Sequence, residues 1–284
     1  MLAAAVLAIA ATKPQRACAQ ESPYFVTYDH HLEDPGDLEI EFEPVTSRPR
    51  GGNRFMSGLI EFEYGVTSWW TSELYLEGQS THTESAIFSG YRIENRFRPL
   101  SGSHWINPVL YAEFADTAAD RTLKEVVGFD TWKDALTPNG ITRRNKEREV
   151  ETRLILSSDF KGWNISENFI GEKKFAHEPW EFGYSAGVSR RLGRGESSRP
   201  SYFFKPDAGF EIYGGLGTAD RFTLATSHYA GPIVAWHMPG GIRVRVSPGF
   251  GLNRDAYPVI LRFGVSCELE EFGPRIGRLF RNAF

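Results

Sequence analysis

From Gly36 onward the chain alternates apolar and polar residues with a period of two, the spacing of strands whose two faces meet unlike surroundings. The stretch 37–43 shows it most cleanly, with Leu38, Ile40 and Phe42 on one face and Glu39, Glu41 and Glu43 on the other. The period returns near residues 55–64, 69–79, 85–98, 105–115, 147–157, 163–172, 180–191, 202–214, 227–237, 241–252 and 258–272. It predicts an all-β chain of about twelve strands, each about ten residues long, which is the even number and the length of tilted strands that cross a bilayer.

The connections carry separate information. Those at 65–68, 99–104, 158–162 and 238–240 are tight, whereas 116–146 is long and 78–84 and 215–226 are intermediate. Short turns on one side and long loops on the other is the asymmetry of membrane barrels, with the turns facing the periplasm; the stretch 191–201 is long for its side. Trp69, Trp70, Trp105, Trp163 and Trp180 stand near strand starts and Trp236 near a strand end, where amphipathic indoles form an aromatic girdle at headgroup level. Only Trp132 falls in a loop. Tryptophans plugging the ends of a soluble barrel are the alternative, and the turn asymmetry argues against it.

Composition removes other classes. With 41% hydrophobic and 14% aromatic residues the chain is not disordered, and a net charge of −4 gives no basic excess for nucleic acid. After the N-terminus no apolar run approaches the roughly 18 to 20 residues of a spanning helix, a test that leaves a β-barrel untouched. Residues 2–11 are apolar and Ala17-Cys18-Ala19 has the small-residue form of a cleavage site, so 1–19 reads as a signal peptide. Gln15 stands where a lipid-anchor motif needs an aliphatic residue. The mature chain then keeps only Cys267 and forms no internal disulfide. Residues 20–35 form an N-terminal periplasmic segment or plug, 36–272 the barrel, and 273–284 a basic amphipathic tail.

On these features the sequence resembles the Gram-negative outer-membrane β-barrel proteins as a class. The last strand, Arg262-Phe-Gly-Val-Ser-Cys-Glu-Leu269, looks like their C-terminal barrel-assembly signal, although the chain continues beyond it to Phe284. The resemblance implies a transmembrane antiparallel up-and-down barrel in the bacterial outer membrane, with membrane lipid, lipopolysaccharide and the barrel-assembly machinery as partners. Leu38, Ile40, Phe42, Ile60, Phe62, Val244 and Val246 would then face lipid, where an arginine at Ile40 should impair assembly. Glu41→Gln on the opposite face should be tolerated.

The lumen-facing set is strongly charged. Its acids are Glu39, Glu41, Glu43, Glu61, Glu63, Glu73, Glu77, Glu94, Glu113, Glu147, Glu149, Glu151 and Glu211; its bases are Arg92, Arg96, Arg98, Arg153, Arg243, Arg245 and Arg262. Closure would set the last strand beside the first and bring Arg262 within reach of Glu39, Glu41 or Glu43. Two readings stand: a passive, cation-preferring pore for small polar or charged solutes, or a non-transporting structural or surface-display barrel whose charges satisfy one another.

No catalytic or metal centre and no cofactor emerges. Asp29, His30, His31, Glu33 and Asp34 read as a solvated polar run ahead of the first strand, and His177-Glu178 and Ser227-His228 lack a third partner. Gly214 to Gly217 reads as a loop with no helix after it to bind phosphate. Asn164-Ile-Ser166 is a sequon placed on a strand, and the run 143–151 either begins as a charged helix or is the base of an extracellular loop.

Overall fold

The computed structural model describes residues 22–118, 121–176, 178–192 and 206–283. The expected signal peptide, Cys18, His177 and most of 191–201 lie outside them.

The strands are β1 (Leu38–Ser47), β2 (Phe55–Thr67), β3 (Trp70–Thr81), β4 (Ala86–Phe97), β5 (Asn107–Ala118), β6 (Lys146–Phe160), β7 (Trp163–Lys174), β8 (Glu181–Arg191), β9 (Asp207–Thr218), β10 (Arg221–Phe222), β11 (His228–Met238), β12 (Ile242–Gly251) and β13 (Val259–Leu269). Every pairing is antiparallel, β1 pairs with β13, and β9 joins β8 to β11. The sheet therefore closes on itself, leaving the two-residue β10 as a rim extension of β9. It is a twelve-stranded antiparallel barrel, and closure removes the open edges that an apolar surrounding could not satisfy.

Alternation along each strand divides inside from outside. Phe42, Ile60, Leu74, Ile93, Leu110, Leu154, Phe169, Phe210 and Phe263 stand exposed on the outer wall, while the polar residues between them turn inward. At the end with the tight turns, Trp69, Trp70 and Phe97 cluster and Trp105 packs edge-on against Phe160. Trp163 and Trp236 also lie at this turn end; Trp180 stands at the loop end beside the start of β8.

Two segments fold into the lumen. Residues 22–33 rise from the turn end to mid-barrel and return: the Ser22 carbonyl accepts from Arg243, the Val26 and Thr27 amides donate to Glu211, and His30 meets Ser157 at 2.8 Å. From the loop end, residues 121–131 descend from the long β5–β6 connection. Tyr24, Phe25 and Val26 of the first segment and Val126 of the second share one buried apolar cluster with Tyr213, Tyr229 and Ile233 of the wall.

Several sequence readings change here. Asp29 and His30 are 3% and 5% exposed and Glu33 is buried, so this part of the run lies inside the barrel rather than in solvent, while Asp34 stands exposed. Gly214 to Gly217 belongs to β9, not to a loop. A Cβ on Gly215 would lie 2.5 Å from the carbonyl oxygen of Gly128, so glycine there admits the inward loop against the wall. Gly187 likewise leaves room for the Tyr24 ring. The run from Lys146 is strand, preceded by one helical turn at Asn139–Thr142. The tail is a helix, Phe272–Ala283, tied to the turn-end rim by the Gly273 amide, which donates to the Gly36 carbonyl at 2.9 Å.

Candidate functional site in the barrel lumen

Inward parity and strand register together build the interior. Glu268 of β13 stands directly across from Glu39, Glu39 from Glu63, and Glu63 from Glu73. The row continues through Glu94, Glu113, Glu151 and Glu172 to Glu181 of β8. One glutamate thus comes from each strand from β13 through β1 to β8. Glu39 and Glu268 lie near the turn end of their strands, Glu94 and Glu113 deeper, and Glu172 and Glu181 at the loop end. A row perpendicular to tilted strands climbs as it goes round, so this acidic ladder runs obliquely from one mouth of the lumen to the other.

Like charges facing each other across a strand pair repel, and the barrel sets cations between the rungs. Arg243 reaches Glu39 at 2.9 Å. Arg96 joins Glu63 and Glu73, the latter at 2.5 Å. Arg92 engages Glu77 at 2.6 Å, Glu113 at 3.2 Å and Glu125 at 2.6 Å. Arg153 binds Glu151 and, at 2.7 Å, Glu125. At the seam Arg245 holds Glu41 at 2.6 Å and Arg262 holds Glu43 at 3.3 Å.

Two of these groups come from the inward loop. Lys124 lies 2.7 Å from both Glu94 and Glu113 and 4.0 Å from the centre of the Tyr75 ring. Glu125 bridges Arg92 and Arg153. The loop at 123–126, with Tyr28 of the N-terminal segment donating to Glu94 at 3.2 Å, forms a septum across mid-barrel. On its turn side is a cavity of about 90 Å³ lined by Glu61, Glu63, Tyr75 and the N-terminal segment; on its loop side is one of about 290 Å³ lined by Arg92, Glu125, Glu149 and Glu172.

The lumen-assigned residues fall as follows. Glu39, Glu41, Glu43, Glu73, Glu77, Arg92, Glu94, Arg96, Glu113, Glu151, Arg153, Glu211, Arg243, Arg245 and Arg262 are buried inside the barrel, and Glu61, Glu63, Arg98 and Glu149 are half-buried on the same face. Glu147 shares their parity but stands exposed at the loop-end mouth, 3.3 Å from Lys174. Sequence reading missed Glu172, Glu181 and Glu268, although each holds the inward parity of its strand. It also missed Lys124 and Glu125, whose loop has no period to read.

In the N-terminal segment His31 sits between Asp29 at 3.0 Å and Asp159 at 3.2 Å, with the His30 ring tilted against it at 4.2 Å between centroids. Burial opposes its positive charge, but the two carboxylates outweigh burial and raise the imidazole pKa to about 10. His30, His31 and Asp159 converge closely enough to hold a metal ion, yet the two aspartates already satisfy His31 as an ion pair. The Ser227 hydroxyl donates to the Asp130 and Asp255 carbonyls, and His228 contacts Tyr184 and Thr226 instead of Ser227.

The closed barrel, its outward apolar band and its polar lumen decide the class. The fold is that of a Gram-negative outer-membrane β-barrel. Among solved structures, the KdgM porin matches with a TM-score of 0.51 at 8% identity, covering 81% of this chain and 98% of that one. LpxR from Salmonella typhimurium matches at 0.39 with 10% identity over 81% and 99%, and the translocator domain of autotransporter NalP from Neisseria meningitidis at 0.42 with 10% over 84% and 89%. No protein-family model and no curated protein matches the sequence. At such identities the likeness to the KdgM porin is one of fold alone.

Proposed function

We propose that this chain is an outer-membrane barrel, with its tight turns toward the periplasm, that acts as a passive pore for small polar or cationic solutes and is held shut at rest by its two lumen segments. The observation that carries this reading is the glutamate ladder, which offers carboxylates at successive levels from mouth to mouth. A solute moving along it exchanges one carboxylate for the next, and a cation is favoured at every step. The septum blocks that route through Lys124, a cation supplied by a loop rather than by the wall, so a shift of the loop would bare Glu94 and Glu113.

The N-terminal segment meets the wall through the apolar cluster at Tyr24, Phe25 and Val26 and through polar bonds, as in Tyr28 with Asn168 and Arg245 with the Tyr24 carbonyl. Water can replace the polar bonds at small net cost, so displacement of the segment is opposed mainly by its apolar cluster. A non-enzymatic role is supported by the Ser227 hydroxyl, which is committed to backbone carbonyls. The second reading, a non-transporting structural or surface-display barrel, is favoured by the completeness of ion pairing around Arg92 and Arg245.

Ion conductance in a planar bilayer separates the two. The full chain should show rare, small cation-preferring openings, and a chain lacking residues 22–33 should show larger and more frequent ones. Absence of conductance above the bare bilayer in both would establish the structural reading.

A further inference from the structure

We infer that Glu125, Glu151 and Glu172 form a binding site for a hard divalent cation of the calcium class, at the loop-side face of the septum. One carboxylate oxygen from each residue lies within 4.8 Å of the others, and the three side chains belong to residues that are 8%, 2% and 5% exposed. Glu151 and Glu172 are direct cross-strand partners on β6 and β7, and Glu125 is brought to them by the inward loop.

Proximity alone would not make a site. The second observation is that the surrounding cations leave part of this group unmet. Arg153 is committed to Glu151 and Glu125, and Arg92 to Glu77, Glu113 and Glu125. Lys174, two residues beyond Glu172 on β7, turns to Glu147 at 3.3 Å and Glu181 at 3.6 Å, and Lys173 donates to the Glu178 carbonyl. The Oε2 atom of Glu151 is buried with no hydrogen-bond partner. Among the described residues no ion pair within 4 Å reaches Glu172: Lys174 acts on it only at longer range, and the side chain hydrogen-bonded to it, Glu149, is another carboxyl group.

A buried carboxylate with only carboxylates beside it is costly unless a positive charge joins it. Oxygen donors select hard cations, and calcium accepts the irregular geometry that three side chains from two strands and a loop would offer. Glu125 and Glu172 also line the cavity of about 290 Å³, which leaves room for the water ligands that complete a calcium shell. In this arrangement the cation ties the inward loop to β6 and β7, and so strengthens the septum.

The test uses the folded full-length chain in detergent, stripped with EDTA and then titrated with terbium. Terbium luminescence sensitised by tyrosines should saturate and be displaced by calcium, more weakly by magnesium, and calcium should raise the unfolding midpoint by several degrees. Glu172→Gln should weaken calcium at least about tenfold, while Glu271→Gln, a carboxylate at the opposite rim, should leave the titration unchanged. No calcium-displaceable signal in the unsubstituted chain would overturn the site. So would an unchanged affinity in Glu172→Gln, or an unfolding midpoint that follows pH and ignores calcium, since protons would then be what neutralises the carboxylates.

Discussion

Arg262 of β13 reaches Glu43 of β1 at 3.3 Å, across the seam where the last strand meets the first. Its other terminal nitrogen donates to the carbonyl of Leu123, so one side chain, 1% exposed, fastens both the closure of the barrel and the inward loop.

Arg262→Met should therefore cost about 1–3 kcal/mol, because it leaves Glu43 with Arg245 alone, at 3.5 Å, and the buried Leu123 carbonyl without this donor. Urea unfolding of the folded barrel measures this, and Arg262→Met with Glu43→Gln should recover part of the loss.

Ile40 and Glu41 are neighbours on β1 that face opposite media. Ile40→Arg should impair membrane assembly by about 2–4 kcal/mol, the cost of a guanidinium on the lipid face. Glu41→Gln, expected from the sequence to be tolerated, should also destabilise. Glu41 is 4% exposed and holds Arg245 at 2.6 Å, so the substitution leaves a buried guanidinium short of its counter-charge, at about 1–3 kcal/mol. Heat-dependent mobility shifts of the two variants provide the measurement.

Lys124→Ala should raise conductance and sharpen cation preference, because it removes the cation between Glu94 and Glu113 without touching the wall. That preference should fade between low and molar salt as the carboxylates are screened. Reversal potentials under a salt gradient would show it, and a variant that became anion-preferring would contradict the assignment of the ladder as the route.

The His31 ion pair gives the N-terminal segment a pH dependence of defined sign. The imidazole pKa rises from 6.5 to about 10 on folding, so the stabilisation is fully present below about pH 6.5 and is lost as pH climbs toward 10. Backbone amide exchange at Tyr28 to Leu32, corrected for its intrinsic pH dependence, should accelerate across that window. His31→Gln should flatten the change.

Much of the barrel could be read from one dimension. The alternation at Leu38 to Glu43 fixes which residues share a face, because side chains of a strand point to opposite sides with a period of two wherever the strand lies. The polar fate of Glu39, Glu73, Arg92 and Arg153 follows from that parity alone. The acidic ladder does not, since it depends on register: which glutamate faces which is set by hydrogen-bond pairing between strands far apart in sequence, as for Glu39 with Glu268.

What fills the lumen belonged wholly to the tertiary structure. Asp29, His30 and His31 carry the local signature of solvent-exposed residues, and Lys124 and Glu125 sit in a loop without periodicity. They become buried because a closed wall of carboxylates and guanidiniums offers them partners that no local segment contains. The barrel, its faces and its charged interior were legible in one dimension, through a period imposed by backbone geometry. Only the closed structure decided which charges pair, which segments enter and which carboxylate, Glu172, is left facing its own kind, because those outcomes depend on distances between strands that meet only when the sheet closes.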